Sequence, residues 1–540
     1  MLWLVFVTAT FSLSFGQPLP KECTLDKAVF DFECCPETAL GVCGGTTRGI
    51  CINITTEAVD PCENGGNAGS KYCMAQQFLK SRPGTNNTDF RYKWPNQIFQ
   101  RACTCYGNYA GYNCMDCKRG YTGENCSQPL LVVRRNVLTL NDTELDKVVR
   151  VLQAIKRNTA SGYTVPIIQP VTTVPSESFA EISLFDIFVS FHFNAIRDEE
   201  INCCDNTSII SQFCNEKNPC PVPNFAHEGP AFPTWHRGYI LFVETEMQRV
   251  LNDPTFGLPY WDWTDKETRD DIWDLMGTSN CGIFAEPPAD NNTVEAPVNG
   301  PFSNWTTICT NSQEIVCNAQ NQVCNPSIPT GPIERCIGGT TGVQCRVQKM
   351  LPSRQDFTIA LRQRSYDNHP FSINDTNMGF RNSLEGFEYL VPRDPNVCPD
   401  FSGGFRITEL HNRVHIYVGG TMLGVPISSN DPIFYLHHCN VDRLYEEWLD
   451  TYSDDNFPSY EPNTFTYVVN PGHNIDEHLV PFFPAITNRD MNQRATSLGY
   501  MYAHTTTSTS GSITIHGMHQ LISTLGYSLL LLTVLSTVIY

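Results

Sequence analysis

The sequence predicts a mainly α fold in which four histidine-bearing helices pack as a bundle, joined to an N-terminal cysteine-rich module and to long disulfide-tied loops. Three observations lead there. His411 and His415 stand four apart in a segment whose apolar residues (Ile407, Leu410, Val414, Tyr417, Val418) recur at helical spacing, so both imidazoles fall on one face, a turn apart. Asp431-Pro432 then supplies an N-cap acid and a proline for the first helical position, opening a helix that carries His437 and His438. Upstream, His192, His227 and His236 lie on or beside two further helical segments. A bundle that aims these imidazoles inward would hold a dinuclear metal site.

Length and composition set the frame. A chain of 540 residues exceeds one typical domain, so one large domain with a smaller module is expected, and 41% hydrophobic residues can fill a sizeable core. A net charge of −20 without a basic face argues against a nucleic-acid partner. Of 24 cysteines, 12 fall between Cys23 and Cys126, which points to a disulfide framework made in an oxidising compartment. The even count is consistent with full pairing and leaves the connectivity open.

The ends of the chain carry targeting signals. Residues 1–16 form an apolar run closing on Ser14-Phe15-Gly16, which reads as a signal peptide cleaved before Gln17. Eight N-x-S/T sequons follow, at Asn53, Asn86, Asn125, Asn141, Asn206, Asn291, Asn304 and Asn374, as expected of a lumenal or extracellular glycoprotein. The uncharged residues 521–540 would span about 30 Å as a helix. Small residues at Ser510, Gly511 and Ser512 and a short polar spacer precede them, the order of a GPI signal, with a single-pass helix as the alternative. Either would tether the chain to a membrane through its C-terminus.

Along the chain, residues 17–127 form the cysteine-rich domain. The Gly and aromatic spacing from Cys103 to Cys126 resembles an EGF-like module, with a zinc ribbon on Cys103, Cys105, Cys114 and Cys117 as the competing reading. The large domain, 128–502, opens with a helix capped at Asn141 or Asp142 and running to Ile155. A strongly apolar helix from Ser178 to Glu200 carries His192. Four cysteines (Cys203, Cys204, Cys214, Cys220) lie in the loop before His227, which sits among Pro and Gly, and His236 lies at the mouth of a helix ending near Leu251. The stretch from Cys281 to Cys345, with six cysteines, reads as disulfide-tied loop, and residues 503–520 as a Ser/Thr-rich stalk.

Two sets of three imidazoles, His192, His227, His236 and His411, His415, His438, suit borderline nitrogen-seeking ions such as copper or zinc rather than calcium or magnesium. Three ligands per ion leave open positions, unlike a structural zinc site. A substrate, dioxygen in the case of copper, could bridge two adjacent ions. His437 and its neighbour His438 are not expected to point the same way on a helix, so one of the pair is a ligand. His369, His437, His473, His478, His504, His516 and His519 read as structural or exposed.

The segments FAHEGPAFPTWHR, PYWDW, FRNSLEGF, HNRVHIY and NDPIFYLHHCNVD resemble the two copper-binding regions of the tyrosinase family, and the match runs from about Cys23 to about Tyr502. The EGF-like segment, Arg134-Arg135-Asn136 and the PGHN stretch at His473 resemble its animal melanogenic branch. The resemblance implies two copper ions, the first on His192, His227 and His236, the second on His411, His415 and His438, the last chosen because the family's ligand is the second of the pair. It further implies that Glu385 and Asn412 hold a water acting as base for the incoming phenol, and that Phe387 and Val425 line the pocket mouth. Phe225 occupies the position of a thioether-forming cysteine of fungal and molluscan relatives, so that cross-link is absent. The expected activity is ortho-hydroxylation of monophenols and oxidation of o-diphenols to o-quinones by dioxygen, in melanin synthesis. Two competing readings are a zinc-containing relative that isomerises dopachrome, against which His437-His438 speaks, and a cell-surface adhesion or scaffold protein with a dead site, against which the intact histidine set speaks.

Overall fold

The computed structural model describes residues 18–25, 28, 31–54, 91–159 except 92, 93 and 97, 161–167, 178–196, 224–264, 272–278, 296–310, 327–341 except 328 and 339, 347–368 except 349, 371, 379–391 except 387 and 388, 405–407, 410–452, 457–458 and 472–503. The expected signal peptide, the four-cysteine loop before His227, the C-terminal segment 521–540, Phe387, and the sequons at Asn86, Asn206, Asn291 and Asn374 lie outside these residues.

Helix α1 (Asp142–Arg157) starts where its capping chemistry requires. The Asn141 side chain accepts the N–H of Glu144, and the Glu144 carboxylate accepts the N–H of Asn141. Its buried stripe of Val148, Val151, Leu152 and Ile155 lies against α2 (Leu184–Ile196) and α3 (Phe232–Leu251). Helix α2 is apolar all round and almost wholly buried, as an interior helix must be. It is shorter than its apolar run, because Ser178–Ala180 is a strand paired with Val165–Ile167. Helix α3 ends at Asn252, which adopts φ 50° and caps it in the left-handed region.

Shorter helices follow: α4 (Ile272–Met276), α5 (Arg354–Leu361), α6 (Phe380–Glu385), α7 (His411–Val418), the long α8 (Ile433–Thr451) and α9 (Asn488–Met491). The expected helix through Ile407 instead begins at His411. Phe405–Ile407 is a strand paired with Tyr389–Val391, so Ile407 belongs to the sheet. Helix α8 opens one residue later than expected, yet Asp431 still serves its first turn by accepting the N–H of Ile433. Both carboxylate oxygens of Asp431 are held by buried Arg335 at 2.6 Å.

Helices α2, α3 and α8 meet through aromatic side chains. Phe188 packs on Phe242 and Tyr435, Phe191 on Tyr239 at 5.9 Å, and the Tyr239 hydroxyl donates to the Phe188 carbonyl. Beside this core lies a buried ionic cluster. Buried Arg134 reaches Glu244 on α3 at 2.8 Å and Asp442 on α8 at 3.0 Å, and Arg237 reaches Asp442 at 2.5 Å. Arg119, from the cysteine-rich domain, also pairs with Glu244 and so ties that domain to the helical one.

The cysteine-rich domain is a set of short strands, chiefly Gly49–Asn53 against Arg101–Cys105, stapled by disulfides Cys23–Cys34, Cys35–Cys51, Cys43–Cys103, Cys105–Cys114 and Cys117–Cys126. The four cysteines of the zinc-ribbon alternative are therefore spent in disulfides. Full pairing of the cysteines does not hold either, since Cys439 is a buried free thiol on α8. One free thiol leaves an odd number for the rest of the 24.

Candidate metal centre

Each half of the centre is placed by a helix that its own sequence starts. His192 sits on α2, His236 in the second turn of α3, and His227 in the loop just before α3. One ring nitrogen from each of these three lies within 4.8 Å of the others. His411 and His415 stand on α7 and His437 and His438 on α8, and these four form a second cluster by the same measure. His236 and His438 stack across the two clusters with ring centroids 4.3 Å apart, and the Nε2 atoms of His411 and His438 are 3.3 Å apart. The six histidines expected from sequence are thus brought together.

The rings suit a cation in both charge and orientation. Burial first, then the neighbouring imidazoles, push His192, His227, His411 and His438 well below the usual histidine range. Burial takes His236 down to about 3 and His415 to about 4. Neutral rings keep a lone pair for metal. The Nδ1–H of His236 donates to the Phe232 carbonyl at 2.8 Å, and that of His415 to the Met422 carbonyl at 2.7 Å. His411 Nδ1–H faces the Glu385 carbonyl at 3.2 Å and Asn412 Oδ1 at 2.9 Å. Carbonyls behind the rings turn Nε2 toward the centre, the usual outer support of a metal-binding histidine. The Nε2 atoms of His236 and His415 are buried without a hydrogen-bond partner, a costly state that a cation relieves.

His437 adds to the sequence expectation. Successive helical residues diverge by about 100°, but the imidazoles are long enough to converge, and the His437 and His438 rings lie 4.9 Å apart. Both are fully buried. The sequence reads His437 as structural or exposed; the structure buries it and sets it in the lining of the second cluster.

Glu385, at the end of α6, joins the two halves. Its carbonyl faces His411, while its carboxylate accepts the N–H of Glu228, next to His227, at 2.6 Å. Arg381 donates to the other carboxylate oxygen at 3.0 Å while also gripping Asp367. Burial pushes the Glu385 carboxyl up to about 8, against the pull of Arg381 and the Glu228 N–H. Asn412 lies on the Nδ1 side of His411, with its amide turned to the Gly386 carbonyl. Val425 is exposed in the turn Val425–Asn430, which packs on α2.

Glu228 and Gly229, not singled out by sequence, support the centre together with His473. His473 spans the His227 loop, accepting the Ala231 N–H on Nδ1 at 3.0 Å and donating from Nε2 to the Asn224 carbonyl at 2.7 Å. Its structural role is the expected one; its position beside the metal loop is not. Gly229 makes room for this ring, since a Cβ there would lie 2.5 Å from His473 Nδ1. Glu228 adopts φ 62°, a strained value for a side-chain residue. No local pattern marks these long-range contacts; the PGHN stretch marks His473 through the family resemblance but not its partners.

Two adjoining clusters of buried or half-buried, neutral imidazoles on a helical scaffold define a protein built around a histidine-ligated dinuclear metal centre. Residues 182–451 match the family model for the common central domain of tyrosinase. The chain is 31% identical to tyrosinase of Canis lupus familiaris over 508 residues, 92% of this chain and 83% of that protein. It is 33% identical to the 5,6-dihydroxyindole-2-carboxylic acid oxidase of Mus musculus over 500 residues, 89% of this chain and 82% of that protein. A solved polyphenol oxidase from Thermothelomyces thermophila aligns with 72% of this chain and 91% of its own at a TM-score of 0.40 and 17% identity. This chain belongs to the tyrosinase family. The family's cofactor is a pair of copper ions, and the two histidine clusters fit it.

Proposed function

We propose that the chain is a phenol oxidase that uses dioxygen to convert monophenols and o-diphenols to o-quinones. The observation that carries this reading is the juxtaposition of two imidazole triads with a buried carboxyl whose proton affinity lies near neutrality. His192, His227 and His236 would hold the first copper, and His411, His415 and His438 the second; bound copper supplies the redox chemistry and the binding of dioxygen. The balance is one monophenol and one O2 giving one o-quinone and one water, or two o-diphenols and one O2 giving two o-quinones and two waters.

The protein's own residues would handle the proton. Glu385, raised by burial, can accept the phenolic proton through a water held with Asn412 and return it as product leaves. Val425, and Phe387 by the resemblance, would border the entrance. Similarity to proteins named for oxidation of 5,6-dihydroxyindole-2-carboxylic acid favours a second reading in which only diphenol-type substrates are oxidised. Oxygen uptake by the copper-loaded chain with tyrosine and with DOPA separates the two. Uptake with both supports hydroxylation, and uptake with DOPA alone supports the second reading.

The sequons at Asn53, Asn125, Asn141 and Asn304 are all exposed, and the cysteine-rich domain is disulfide-bonded. Both support synthesis in the secretory pathway, with residues 521–540 as the membrane tether and a melanosome-like lumen or the cell surface as the destination. Pigment formation in cells expressing the chain, against cells expressing the His438→Ala variant, tests the melanin role.

A further inference from the structure

His437 is wired in the opposite sense to its neighbours. His236, His411 and His415 present Nδ1 to carbonyl oxygens, which only accept, so these rings carry Nδ1–H and leave Nε2 bare. His437 Nδ1 instead faces the indole Nε1–H of Trp263 at 3.0 Å. An indole nitrogen only donates. Nδ1 of His437 is therefore the acceptor, and the neutral ring carries its proton on Nε2. An imidazolium would set two N–H donors against each other at that contact.

The ring is fully buried and its Nε2 has no hydrogen-bond partner. Its centroid lies 5.1 Å from that of His411, 5.0 Å from that of His415 and 4.9 Å from that of His438. An Nε2–H in that place cannot bind a cation, but it can donate to an oxygen. A fourth ligand would need the proton on Nδ1, against the Trp263 N–H. A packing residue would leave a buried N–H unsatisfied, where an apolar side chain would serve better.

We propose that His437 is a substrate-binding residue that donates a hydrogen bond from Nε2 to the phenolic oxygen of a substrate seated at the second cluster, with Trp263 fixing the tautomer. This rests on the phenol-oxidase reading and deepens it. The donor favours a ligand that arrives as phenolate, because a hydrogen bond to an anionic oxygen is the stronger kind.

The test is calorimetric binding of 4-nitrophenol under nitrogen to the full copper-loaded chain, with metal analysis of each sample. His437→Leu is expected to keep two metal ions per chain and to bind 4-nitrophenol about tenfold more weakly. His437→Gln, whose amide N–H lies near the position of imidazole Nε2, is expected to recover most of the affinity. Trp263→Phe, which frees the tautomer, is expected to lose affinity with its metal intact, and it keeps the proposal testable should His437→Leu not fold. Loss of metal from His437→Leu would show a ligand, and unchanged affinity in His437→Leu or Trp263→Phe would show packing; either overturns the proposal alone. Wild-type chain that takes up no metal or binds no 4-nitrophenol would overturn the phenol-oxidase reading, and this proposal with it.

Discussion

The carboxylate of Glu385 accepts the backbone N–H of Glu228 at 2.6 Å, so the segment holding His227 is fastened to the helix end whose carbonyl supports His411. One residue thus braces both histidine clusters and also offers a carboxyl raised by burial.

Glu385→Gln keeps the shape and the acceptor oxygen but removes the titratable group. Monophenol hydroxylation is expected to fall at least tenfold, with diphenol oxidation much less affected. Oxygen uptake with paired substrates checks this, and equal losses would remove the proton-transfer role. If the carboxyl at about 8 governs the monophenol step as a base, that rate rises with pH through this region, and the rise is absent in Glu385→Gln.

His473 clamps the loop between Asn224 and Ala231 from inside the protein. His473→Ala is expected to loosen His227 and to lower metal content from two ions toward one, while the second cluster stays loaded. Metal analysis together with circular dichroism checks it. Full metal content in the folded variant would show that the clamp is dispensable.

The ionic cluster on α3 and α8 should govern acid stability. Burial alone would raise the carboxyls of Asp442 and Glu244, but Arg237 and Arg134 for the first, and Arg134 and Arg119 for the second, outweigh it and hold both below the usual range. Carboxyls depressed in the folded state contribute stability that is full above their unfolded values, about 4, and is lost as pH falls through their folded values. Asp442→Asn is expected to cost about 3–5 kcal/mol at pH 7, because Arg134 and Arg237 lose a buried counter-charge. It should also flatten the loss of stability below about pH 4. Urea unfolding of the disulfide-intact protein at several pH values measures both effects.

Much of the centre was legible because its ligands lie on local patterns. The i, i+4 pair His411 and His415, the Asp431-Pro432 start and the Asn141 cap each act within a turn of helix, and the structure uses all three. What the sequence did not show lies in contacts that close over long sequence distances. Ile407 fits a helical face, yet pairing with Tyr389 takes it into a sheet. Helix geometry and the family pattern set His437 aside as a ligand, but neither reveals its partner, the indole N–H of Trp263, 174 residues away. The clamp of His473 on Ala231 joins residues 242 apart, beyond any local spacing rule.

His236 and His438 stack at 4.3 Å from opposite clusters, so the ions these clusters would hold lie side by side. The most direct test is the copper content of the chain made through a secretory pathway with copper supplied, measured beside His438→Ala. Two copper ions per wild-type chain are expected, and about one with no oxidation of either tyrosine or DOPA in the variant. A well-folded wild-type chain without copper, or a variant that retains both ions and oxidises DOPA, would contradict that expectation.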